Sequence, residues 1–126
     1  MIAWLLDQPA AAAVDALLQK ADGGNDLHLL MSWINIGEVY YIVARRHGKQ
    51  KAEGFLQRVP SLPVRVVLPE EEDVVVAARL KSTRRLAYAD AFAAALAMRV
   101  GAAIVTGDPE LSELRDILSV QWIGGY

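Results

Sequence analysis

Cysteine is missing from all 126 residues. Its absence excludes a disulfide framework, thiolate zinc sites and thiol nucleophiles, and it suits a reducing cytosol. Histidine occurs only as His28 and His47, with no motif around either, which argues against a two-histidine nuclease mechanism. One falls in an expected strand and the other at a helix end, so both read as structural. Aromatics are scarce at 7%, and neither sign of charge dominates: the net charge is −2. No general field therefore attracts nucleic acid, and such a partner would need a local basic patch or a bound cation. No stretch approaches the ~18 uninterrupted apolar residues of a membrane span. The apolar start, Met1–Leu6, meets Asp7 with no basic segment before it, which makes a poor secretion signal. The expectation is a soluble, cytoplasmic protein with no membrane partner.

What is present is a hydrophobic fraction of 54%, rich in alanine and valine. The length fits one domain over residues 1–126, large enough to close a core unaided. There is no repeat, linker or low-complexity tail. Two basic groups stand out: Arg45, Arg46, His47, Lys49 and Lys51, then Lys81, Arg84 and Arg85. Each is a candidate nucleic-acid patch, though a solvated helix end is the commoner meaning of either alone.

Helical and extended patterns alternate. Ile2–Leu6 and Ala10–Ala21 read as two short helices, or one bent at Pro9, ending at Gly23 and Gly24. Asp26–Met31 reads as a short buried strand. Ser32 is a helix N-cap, and Ile36, Val39, Tyr40 and Val43 behind it keep the spacing of one buried face. Gly48 closes that helix, and another spans about Gln50–Val59 with Ala52, Phe55, Leu56 and Val59 inward. Val64–Leu68 is a β-branched strand. Glu70–Asp73 crowd the start of the next helix, where the backbone dipole favours negative charge, and Val74, Ala77, Ala78 and Lys81 follow. An alanine-rich helix runs from near Tyr88 to Val100 and stops at Gly101. Ala103–Thr106 and Ile117–Ile123 read as the last strands. Strands alternating with helices imply an α/β/α three-layer fold on a parallel sheet, which binds ligands beyond the carboxyl ends of its strands.

That topology gathers acids from separate segments at one rim. Glu38 lies in the first two turns of the helix that follows Met31, with Asn35 one turn earlier on the same face. Asp90 is in the first turn of the helix that descends into Ala103–Thr106, and Asp108 follows that strand. Each has an ordinary explanation: a solvated glutamate facing Arg45, a helix-start acid, a turn aspartate in Gly107–Pro109. Together they repel one another unless protonated or neutralised by a cation. An oxygen-only cluster suits Mg²⁺ or Mn²⁺, which would supply what phosphodiester hydrolysis needs. Glu110 is a possible outer member.

The segments Ile34–Val39 (INIGEV), Tyr88–Ala91 (YADA) and Val105–Glu110 (VTGDPE) resemble, in order and spacing, the three later motifs of VapC-type PIN-domain toxins. Met1–Pro9 and Ala77–Lys81 also look like helical regions of that family. The resemblance implies a Mg²⁺- or Mn²⁺-dependent endoribonuclease, commonly a homodimer, held inactive by a cognate antitoxin. It makes Glu38, Asp90 and Asp108 the metal-site acids, with Asn35 and Thr106 supporting them by hydrogen bonds. The family begins with a central strand ending in a further acid, and neither is in the sequence as given, which a start codon set at an internal methionine or a truncated relative would each explain. Asp7 does not replace that acid, because it sits at the far end of its helical segment, roughly a full turn or more from the rim. Two readings follow: a toxin ribonuclease, or a catalytically impaired fold kept as a module that binds antitoxin or a dimer partner. A receiver-like phosphoacceptor domain is a poor third. It would need an acidic pair after its first strand and a lysine near a late strand end.

Overall fold

The computed structural model describes residues 29–62, 64–106 and 113–122. The segments expected as the first helices fall outside these residues, as do His28 and the residues from Gly107 to Ser112. The first described strand, β1, is Leu29–Ser32 and passes directly into helix α1, Trp33–His47. Ser32 makes that transition sharp, because its Oγ accepts the N–H of Ile34 at 3.1 Å, one of the donors a helix start leaves unmet. Ile36, Val39 and Val43 form the buried face as the spacing requires, and Tyr40 is half-buried at its edge.

Gly48 alone separates α1 from α2, Lys49–Arg58. Its φ of 94° is a conformation that side chains with a Cβ rarely adopt, and its N–H closes α1 on the Ala44 carbonyl at 3.0 Å. Ala52, Phe55 and Val59 of the second hairpin arm face inward as expected. Leu56 does not. It is exposed, because it lies on the flank of α2 that no described element covers. A short 3₁₀ turn, Val59–Ser61, leads to β2, Val64–Val67, which pairs in parallel with β1 from Leu29↔Val64 to Ser32↔Val67. Leu68, expected in that strand, lies past its end and is exposed.

Helix α3 spans Glu71–Thr83. Its buried positions are Asp73, Ala77 and Leu80, whereas Val74 and Ala78 face solvent. The valine run at 74–76 gives no periodic cue, and the face is set instead by an ion pair described below. Helix α4, Tyr88–Val100, lies deepest: from Asp90 to Ala97 every residue is buried or half-buried. Its alanines let α3 pack close along one side, and it also touches α1, β1 and the next strand. Gly101, at φ 69°, ends it with a left-handed cap. Strand β3, Ile104–Thr106, follows, then a 3₁₀ turn at Glu113–Asp116 and β4, Val120–Trp122, parallel to β3. The expected last strand therefore starts later, since Ile117–Ser119 still belong to the turn and its exit.

The architecture is α/β with parallel strands, and among the described residues the strands form two separate pairs, β1–β2 and β3–β4. The core is likewise in two parts. One is built by β1, α1 and α2 around Ile36 and Phe55, the other by α3, α4 and β3 around Phe92 and Leu114. Where α1 meets α4 is the seam between them.

Candidate functional site

The two helices that form the seam carry two of the three sequence-derived acids. Glu38 is on α1 and Asp90 on the first turn of α4, and both are buried, at 9% and 6% exposure. A helix-start acid serving only the backbone dipole has no need to leave water, and a solvated glutamate would not be at 9%. Nor does Glu38 face Arg45. The Arg45 guanidinium lies over the ring of Tyr41, 5.1 Å from its centroid, on the outer side of α1.

Asn35 holds the two helices together. Its Nδ2 donates to the carbonyl oxygen of Ala89 at 2.9 Å, so a side chain of α1 grips the backbone one residue before Asp90. It is itself only 4% exposed, and among the described residues its Oδ1 has no hydrogen-bond partner. Asn35, one turn before Glu38 on α1, thus lies against the start of α4. The other predicted site residues stand differently. Thr106 ends β3 as expected, with only its backbone described, while Asp108 and Glu110 lie outside the described residues. Among the described residues no three metal-ligating side chains of the His, Cys, Asp or Glu type come together.

The basic groups separate cleanly. Arg45, Arg46, His47, Lys49 and Lys51 are exposed at the far end of α1, roughly 13 Å along the helix from Glu38 by its rise per residue. The second group spans the last turn of α3 and the connection that leads into α4. Two of its members are already engaged. Lys81 donates to the Leu86 carbonyl at 3.2 Å, and Arg84 forms a two-pronged pair with Asp116 at 2.7 and 3.1 Å. Those hydrogen bonds from Arg84 hold the Asp116 carboxyl below the usual carboxylate range. Arg85 is exposed and makes no such bond among the described residues.

One structural pair had no sequence signal. Asp73, at the start of α3, is nearly buried and accepts from Arg99 in the last turn of α4. Burial pushes its carboxyl up, but the hydrogen bonds from Arg99 and from the Glu70 N–H, with the Arg99 charge, outweigh that and leave it below the usual range. The two residues are 26 apart, with no shared periodicity. Trp33, at the start of α1, is 43% exposed.

Comparison with protein-family models matches the PIN domain over residues 1–117. The chain belongs to the PIN domain family. PIN domains are in general nucleases. Among solved structures the PIN chain is similar to one described as the 2.2 Å resolution structure of VapBC-1 from nontypeable Haemophilus influenzae. The TM-score is 0.64 at 19% identity, covering 94% of this chain and 87% of that one, a likeness of fold. No curated protein matches the sequence.

Proposed function

We propose that this PIN domain is the toxin of a type II toxin–antitoxin pair, a Mg²⁺- or Mn²⁺-dependent endoribonuclease that hydrolyses RNA phosphodiester bonds. The observation that carries the reading is the burial of two carboxylates, Glu38 and Asp90, on separate helices that meet at one strand edge. Burial and like charge both disfavour ionised acids, so such a pair is costly unless protons or a cation compensate.

The donors at the seam fit a hard dication. Glu38 and Asp90 offer carboxylate oxygens, and the Asn35 amide oxygen is a buried acceptor awaiting a donor. Nitrogen and sulfur ligands are absent from the set, which is what Mg²⁺ and Mn²⁺ prefer. In this reading Glu38, Asp90 and Asp108 hold the ion, with Asn35, Thr106 and Glu110 around them. When bound, the ion lowers the pKa of a water and neutralises charge on a phosphate oxygen.

The chain's own residues contribute position and electrostatics. Helices α1 and α4 carry their acids on fixed turns backed by core, so the carboxylates keep their places without a loop having to order. Arg85 supplies a phosphate contact beside the acids, whereas the cluster at the far end of α1 can only hold RNA at a distance. The VapBC-1 likeness supports an antitoxin as partner, and the same reading expects a homodimer in the cytoplasm.

The test is cleavage of RNA by the purified chain with Mn²⁺ or Mg²⁺, with chelator and with Asp90→Asn. The expected result is cleavage that chelator and the substitution each abolish. RNA left intact in every metal condition, with the neighbouring gene product still bound tightly, would replace this reading with that of a non-cleaving binding module.

A further inference from the structure

We infer that Asn35 is a positioning residue with two separable tasks: its amide nitrogen ties α1 to α4, and its amide oxygen receives a hydrogen bond from a water of the hydrated cation. The inference rests on the metal-dependent reading above and deepens it.

The orientation of the amide is fixed by its partner. Nδ2 lies 2.9 Å from the Ala89 carbonyl oxygen, and the reversed amide would set two acceptors against each other. Oδ1 therefore points away from that carbonyl, on a side chain 4% exposed, and has no donor within hydrogen-bond reach. A buried acceptor left without a donor is uncommon and has to be offset by something.

The surrounding chemistry narrows what that something is. Carboxylates that hold a cation are ionised, so they accept hydrogen bonds and give none. Among the described residues no group donates to Oδ1, and a water held by the cation is the donor assigned to it. Mg²⁺ and Mn²⁺ keep several of their waters when bound through one or two carboxylates, and each such water is a donor. Outer partners of this kind typically alter metal affinity by about 10- to 100-fold when removed.

Two substitutions split the two tasks. Asn35→Ala removes both. Asn35→Asp keeps an acceptor oxygen but loses the N–H that holds Ala89. Mn²⁺ affinity is read by electron paramagnetic resonance titration of the full chain, and the tie between helices by thermal melting without metal. Both variants are expected to melt below wild type. Asn35→Ala is expected to bind Mn²⁺ about 10-fold more weakly, while Asn35→Asp binds at least as well as wild type. If Asn35→Ala does not fold, Asn35→Leu takes its place, filling the volume without the acceptor, with the same expectation. Mn²⁺ affinity unchanged in Asn35→Ala or Asn35→Leu, or lost equally in Asn35→Asp, overturns the inference and leaves the nuclease reading intact. Wild type that binds no Mn²⁺ overturns the nuclease reading itself, and this inference with it.

Discussion

Arg99 closes on both oxygens of Asp73: Nε donates to Oδ1 at 2.9 Å and Nη2 to Oδ2 at 3.1 Å. The pair joins the last turn of α4 to the first turn of α3, while Asn35 joins the first turn of α4 to α1. Helix α4 is held at both ends by polar side chains and along its length by core. Asp73 also accepts the Glu70 N–H at 2.9 Å, so its carboxylate is fully engaged where water hardly reaches. Asp73→Ala is expected to lower the melting temperature by roughly 5–10 °C, the effect of losing a buried network together with a helix-start contact. Differential scanning calorimetry checks it.

The same carboxylate sets an acid limit. Its pKa is lowered in the folded state, so its contribution is present above the unfolded value of about 3.9 and is lost as pH falls through the lower folded value. The gap in melting temperature between wild type and Asp73→Asn should hold steady from about pH 7 to 5 and close below about pH 4. A gap that widened on acidification would contradict the assignment.

If Glu38 and Asp90 serve one ion, removing either removes most of what both do. Glu38→Gln and Asp90→Asn are each expected to cut metal-dependent RNA cleavage by at least about 100-fold, with little further loss in the double variant. Independent, multiplying losses in single-turnover assays would mean that the two acids do not act as a unit.

Ser32 stands where β1 becomes α1, three residues before Asn35. Ser32→Ala removes the acceptor for the Ile34 N–H and is expected to cost about 1 kcal/mol in urea unfolding, with an unchanged m-value.

Of the basic residues near the site, Arg85 is the one the described structure does not already use. Arg85→Ala is expected to weaken RNA binding and to reduce the slope of log affinity against log salt by about 1. Arg84→Ala should instead register chiefly in melting temperature, because Arg84 holds Asp116.

Much of this was legible in the sequence because the signals were local. The Ser32 cap, the 36–39–43 stripe, the glycine stops at 48 and 101 and the β-branched run at 64–67 each specify their element within a few residues. That the helices carrying Glu38 and Asp90 lie against each other followed from topology alone. What was not legible depends on contacts distant in sequence. The face of α3 is chosen by Arg99, and a run of valines offers no stripe to read. Leu56 and Trp33 are apolar in type but exposed, since composition does not say which flank of a helix finds a neighbour. The grip of Asn35 on Ala89 spans 54 residues and ends on a backbone atom, which no residue pattern announces.

The alanines of α4 carry a consequence for how this fold tolerates change. Ala91 and Ala94 are wholly enclosed, so there is no room for even one added methyl group without displacing the rod that bears Asp90. Drift in that segment should be confined to its ends. New substrate preferences would then have to arise on the outward side of α1 and in the approach to Tyr88, where side chains can vary without shifting the acid.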